Sequence, residues 1–201
     1  MRRTRAGTVG VWLLAGTALV AADFWEEKDF TTWSDQEVEK MLTDSPWAKQ
    51  VRSIVGGGRT EVTVAWSTAL PIRQATVRQA IGLGTPIPPE SQQELEMDPP
   101  VYVVTLSGLP PTLRWLTTTV PAIEAETMLK RKDKTPIAVE SVRLFQNKQS
   151  QLISLVFRFP KTDVITVEDG EVELVTKLGT SGGLKKKFKL SDMVFGDQLE
   201  L

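Results

Sequence analysis

Between Phe24 and Trp47 the chain reads FWEEKDFTTWSDQEVEKMLTDSPW, a run that places five of the fourteen aromatic residues within 24 positions. Each large ring brings ~150–250 Å² of buriable surface. A segment so rich in rings has two fates: it closes one side of a core, or it stands exposed as a stacking platform for a ligand. On the second reading Trp25, Trp33 and Trp47 are the ligand-binding candidates, with Lys49 and Arg52 as a polar rim. The local pattern favours the first. Ser34-Asp35-Gln36-Glu37 has the S-x-x-E form of a capping box, and Trp33 stands directly before it, where a staple residue can reach Val38. A helix is therefore expected from Asp35, with Val38, Met41 and Leu42 on one face. Ser45-Pro46 restarts the pattern, because proline is tolerated at a first helical position, and a second short helix is expected after a break at Asp44.

The aromatic run follows a leader. Arg2, Arg3 and Arg5 make a basic start, residues 8–20 (TVGVWLLAGTALV) are mostly apolar, and Val20-Ala21-Ala22 places small residues before a cut at Asp23. The apolar stretch falls short of the ~20 residues that cross a bilayer. Residues 1–22 thus read as a secretory signal peptide, residues 23–201 as the exported protein, periplasmic or extracellular, with no integral membrane segment left after cleavage.

Two absences restrict the chemistry. The chain has no Cys and no His. That removes Ser-His-Asp and Cys-His nucleophiles, zinc sites of the His/Cys kind, a redox CxxC and any disulfide framework. No calcium loop of the D-x-[DN]-x-[DN]-G form occurs, and no cofactor or metal is expected. After the leader, 21 basic residues stand against 25 acidic ones, a net of −4. Lys185-Lys186-Lys187 is too short a run to suggest nucleic acid and reads as edge protection for a strand. Carboxylates are the remaining acid/base groups. Asp23, Glu26, Glu27, Asp29, Asp35, Glu37 and Glu39 cluster near the N-terminus, where helix dipoles also favour them; no catalytic pair is assigned.

Further along, Val51–Val55 and Glu61–Ser67 read as strands joined across Gly56-Gly57-Gly58, and Pro71–Ile81 as a helix that opens on proline. Residues 84–100 carry five prolines and read as a long loop. Val101–Leu106 is apolar on both faces, as a central strand would be. Ala122–Lys132 is expected to be helical. Strands are expected at Ile137–Phe145, Leu152–Phe159, Val164–Glu168, Glu171–Lys177 and Leu184–Leu190, with a further one toward Leu201, and Asp169-Gly170 is the strongest hairpin signal.

The N-terminal motif FWEEKDFTTWSDQEVEKMLTDSPWAK and the C-terminal FKLSDMVF together resemble a family of small secreted bacterial proteins of unknown function, loosely related to the secreted GWxTD-domain group. The resemblance covers most of the chain after the leader; it implies export and carries no activity, cofactor or catalytic residue.

The expected fold is a single α+β domain over residues 23–201: a helical N-terminal segment (23–50), one or two internal helices, and a mainly antiparallel sheet whose β-rich part spans 137–201. The expected function is a non-enzymatic binding or envelope-assembly module whose partner is an envelope protein or a glycan. A carboxylate-dependent hydrolase acting on polysaccharide is the alternative.

Overall fold

The computed structural model describes residues 23–55, 58–113, 116–178 and 182–201. The leader, the glycines at 56 and 57, and Trp115 lie outside the described residues. The fold is α+β with antiparallel sheets. In chain order the elements are α1 (Phe24–Glu27), α2 (Asp35–Thr43), β1 (Asp44–Ser45), β2 (Ala48–Val55), β3 (Gly58–Trp66), α3 (Leu70–Ile81), α4 (Pro89–Glu96), β4 (Val101–Leu109), α5 (Leu116–Ala125), β5 (Met128–Arg131), β6 (Ile137–Ala138), β7 (Ser141–Gln146), β8 (Ile153–Pro160), β9 (Glu171–Lys177), β10 (Gly183–Lys189), β11 (Val194–Phe195) and β12 (Gln198–Leu199).

The larger sheet has the order β1-β2-β3-β4-β8-β7, and the smaller one β10-β9-β5-β6. Period-two alternation decides which residues fill the space between them. Val62, Val64 and Trp66 on β3, Tyr102, Val104 and Leu106 on β4, and Leu155, Phe157 and Phe159 on β8 are buried. The smaller sheet contributes Val172, Leu174, Leu184 and Phe188. Trp66 meets Tyr102 at 6.0 Å and Phe188 at 5.9 Å between ring centroids, both edge-on, so one indole joins the two sheets. In such T-shaped contacts the ring edge meets the negative face of its partner.

Where local signals were complete, expectation and structure agree. The capping box forms as read: the Ser34 hydroxyl accepts from the Glu37 amide at 3.3 Å and the Glu37 carboxylate accepts from the Ser34 amide at 2.8 Å. β2 and β3 pair as a hairpin closing at Val55 opposite Gly58. α3 opens on proline, and Pro71, Ile72, Ala75 and Arg78 make its buried face.

Five segments differ from expectation. After Asp44 there is no second helix. Asp44 and Ser45 pair with Lys49 and Ala48, and the Ser45 hydroxyl donates to Met41 O at 2.7 Å while accepting from the Ala48 amide at 3.2 Å. Within the proline-rich 84–100, Pro89 initiates α4, whose Leu95 is buried. Residues 122–132 split, because the Thr127 hydroxyl donates to Ile123 O (2.6 Å) and meets the Thr176 hydroxyl (2.7 Å), and the chain leaves as β5 along β9. Ile137–Phe145 divides into β6, in the smaller sheet, and β7, in the larger one. Val164–Glu168 is not a strand: residues 164–166 have no regular structure, Val167–Asp169 is a 3-10 turn rather than one arm of a hairpin, and Gly170 ends it at φ 72°.

A buried ionic cluster explains that last turn. Arg131 on β5 exposes none of its side chain; its guanidinium pairs with Asp163 and lies 3.5 Å from Asp169, which is 3% exposed and 2.6 Å from the Lys134 ammonium. The cluster ties β5 to the 163–169 loop, and Asp169 also accepts from the Thr166 amide at 3.2 Å. Edge-strand lysines fall where expected: β10 is the outer strand of the smaller sheet, and Lys185 and Lys187 face solvent.

Candidate functional site

The three candidate tryptophans enter the core. Trp33 and Trp47 expose none of their surface and Trp25 exposes 6%. Edge-on contacts link them: Phe24 meets Trp25 at 4.9 Å and Trp33 at 5.3 Å, and Trp25 meets Trp47 at 5.9 Å. The indole nitrogens of Trp33 and Trp47 are satisfied by main chain: Trp33 Nε1 donates to Lys28 O at 3.2 Å and Trp47 Nε1 donates to Glu200 O at 2.9 Å. The Lys40 ammonium lies 5.8 Å above the Trp25 ring and 5.9 Å above that of Phe24, a cation–π arrangement at the rim. The structure therefore leaves only part of Trp25 to meet a ligand.

That part of Trp25 faces a cavity of about 720 Å³ between α1, the 3-10 turn Phe30–Thr32 and the β11–β12 hairpin. Phe30 and Phe195, both half-buried, stand with Trp25 along it, and Glu26, Glu27, Asp29 and Asp197 supply carboxylates. Asp29 is partly engaged, accepting from the Thr31 amide at 2.9 Å. Glu26, Glu27 and Asp197 make no ion pair among the described residues. Lys28, also on the lining, is held by Glu37. Lys28 and the Ser34 amide lower the Glu37 carboxyl to about 2. Gln74 of α3 reaches the same space, and its Oε1 is buried with no hydrogen-bond donor.

The hairpin that closes this cavity turns through Gly196 and Asp197 at φ 56° and 66°. Two successive left-handed residues in a two-residue loop are the type I′ signature. Phe195 and Asp197 stand some 170 positions from Trp25 and are not among the residues the sequence singled out; the Gly196-Asp197 pair between short apolar segments is the signal that could have marked the hairpin. Phe195 reaches the aromatic group through Trp47, 6.3 Å away.

The other sequence candidates scatter. Lys49 pairs with Asp44 at 3.1 Å beside a second cavity of about 430 Å³ on another side of Trp25. Arg52 is 92% exposed on β2, 3.6 Å from Glu61. Asp35 turns outward to the buried Arg78 at 3.1 Å. A third cavity, of about 490 Å³, lies between α3, α4 and the C-terminus, where Arg73 donates to Glu94 O and Met97 O and so holds the end of α4. Among the described residues no group of three or more acidic side chains is placed to hold a metal ion, and no helix is long and apolar enough to cross a membrane.

No family model matches the chain, and no curated protein matches it. Among solved structures it is similar to a protein of unknown function from Burkholderia pseudomallei K96243. The two are 13% identical, the alignment covers 76% of this chain and 83% of that one, and the TM-score is 0.41.

Proposed function

We propose that this chain is an exported, non-enzymatic binding or envelope-assembly module, and that the cavity at Trp25 takes a glycan. The observation that carries the reading is the meeting of three aromatic side chains with carboxylates that lack a basic partner in one space of about 720 Å³. Its size lies within the ~300–1,000 Å³ of small-ligand sites. Sugar rings present apolar C–H faces to aromatic side chains and hydroxyl donors to acceptors. Ionised carboxylates are acceptors only, and the Gln74 Oε1 adds another acceptor. The basic start, apolar stretch and small-residue cut before Asp23 support export, as does the resemblance to small secreted bacterial proteins.

Calorimetric titration of the chain from Asp23 onward with neutral and amino-sugar oligosaccharides tests this. Binding in the micromolar to low millimolar range, weakened about tenfold or more by Glu27→Gln with Asp197→Asn, is the expected result. Absence of binding across the panel, or binding unaffected by that pair of substitutions, overturns it. Product formation from a bound oligosaccharide, lost in the same variant, would favour the hydrolase instead.

A further inference from the structure

The acidic balance of the chain conceals a basic end. Strand register places the β2–β3 and β7–β8 hairpin ends on the same side of the larger sheet: Val55 pairs with Gly58, Thr63 with Ser107, and Leu109 and Gln146 both with Ile153. The β9–β10 hairpin joins them there. A Cβ on Gly182 would stand 2.8 Å from Ile54 O, so the two backbones are in close approach. The Trp25 cavity is at the other end, beside Trp47, whose carbonyl accepts from the Trp66 amide at the far end of β3.

The described residues within 52–61, 143–154 and 175–185, at these hairpin ends, include six basic residues and one acid, Glu61. Arg52 takes Glu61 at 3.6 Å and Lys177 takes Glu126 at 2.8 Å. Arg59, Arg143, Lys148 and Lys185 have no ion pair among the described residues, and all four are exposed. In a chain whose remainder is acidic, uncompensated like charges at one end raise the free energy of the fold by mutual repulsion. The same end exposes large apolar side chains: Ile54 at 64%, Phe145 at 54% and Leu152 at 39%. Phe145 lies two residues from Arg143 on the same strand face, and Ile54 two from Arg52.

We propose that this end docks on an anionic lipid surface, with Ile54, Phe145 and Leu152 entering the headgroup layer and the arginines and lysines meeting lipid phosphates. Apolar residues at hairpin ends, ringed by basic ones, supply the two signals that interfacial binding needs: apolar burial and attraction to negative charge. Guanidinium groups suit phosphate because their planar fork can donate two parallel hydrogen bonds. A second copy of this chain is disfavoured as occupant, since it would bring the same positive charges face to face. The inference is independent of the glycan reading, whose residues lie at the opposite end.

Co-sedimentation of the chain from Asp23 onward with vesicles tests it, comparing phosphatidylcholine alone with phosphatidylcholine mixed with phosphatidylglycerol. Binding is expected only to the mixed vesicles and is expected to fall with added salt. Each basic residue near such a surface contributes about fivefold to the partition coefficient, so Arg143→Glu with Lys148→Glu lowers it by about 25-fold or more. Phe145→Ser lowers it several-fold, while Lys132→Glu, a charge reversal away from the hairpin ends, leaves it unchanged. Circular dichroism of each variant separates loss of docking from loss of fold. Equal binding to neutral vesicles, no binding to either, or an equal loss with Lys132→Glu overturns the proposal. So does binding of a soluble polyanion such as alginate, through the same residues, with no vesicle binding.

Discussion

The indole N–H of Trp47 donates to the main-chain carbonyl of Glu200 at 2.9 Å, joining two residues 153 positions apart. The Glu200 carboxylate then accepts from the Leu70 amide at 3.0 Å, at the start of α3. One C-terminal residue thereby holds both the aromatic segment and the first internal helix. Trp47→Phe keeps most of the ring but leaves a carbonyl without its donor, and is expected to cost about 1–3 kcal/mol in urea unfolding. Trp47→Ala adds a cavity and is expected to cost about 3–5 kcal/mol.

The α2 cap gives a pH signature. The Lys28 ammonium and Ser34 hold the Glu37 carboxyl at about 2, below its ordinary 4.5. A carboxyl with a depressed folded value contributes stability that is complete above the unfolded value and is lost as pH falls toward the folded one. Unfolding free energy is therefore expected to decline between pH 4.5 and 2, and Glu37→Gln is expected to flatten that slope. Denaturant titrations at a series of acidic pH values provide the comparison.

Ser34→Ala removes the reciprocal half of the same cap. The expected loss is about 1 kcal/mol, and thermal unfolding should show a lower midpoint. Loss of helical signal without a shift of the midpoint would show that α2 frays apart from the core.

The Arg131 cluster should behave as a buried pair does. Asp169→Ala leaves Asp163 as the remaining carboxylate on the buried guanidinium and is expected to cost about 1–3 kcal/mol, because a buried donor loses a charged acceptor. Arg131→Met with Asp169→Ala should be less harmful than the sum of the single changes. A double-mutant cycle measures the difference.

Gly108 sits at φ 88° in the irregularity of β4 between Leu106 and Leu109, and a Cβ there would lie 3.2 Å from Glu61 O. Gly108→Ala is expected to destabilise by at least about 1–2 kcal/mol, the cost of a left-handed conformation for an L-residue. Gly84→Ala, at φ 71° with nothing within 4 Å, bears the conformational cost alone. The two should therefore separate in parallel unfolding experiments.

The sequence by itself determined those features whose physics is local. A serine followed three residues later by glutamate starts α2. Alternating apolar residues make Val62, Val64 and Trp66 one buried face. A tryptophan directly before a cap packs inward. Tertiary structure decided what depended on distant partners. Met128–Arg131 has a helical neighbourhood, yet β9 offers it a ladder and Asp163 and Asp169 offer its arginine charge partners, so it extends. Asp169-Gly170 has the composition of a hairpin, but the Asp169 carboxylate is engaged by Arg131, Lys134 and the Thr166 amide, and that commitment closes a 3-10 turn instead. The aromatic cavity was likewise only half visible, because Phe195 and Asp197 reach Trp25 from the far end of the chain. Strand register, which no short window contains, brings three hairpin ends together and turns scattered arginines and lysines into one basic surface.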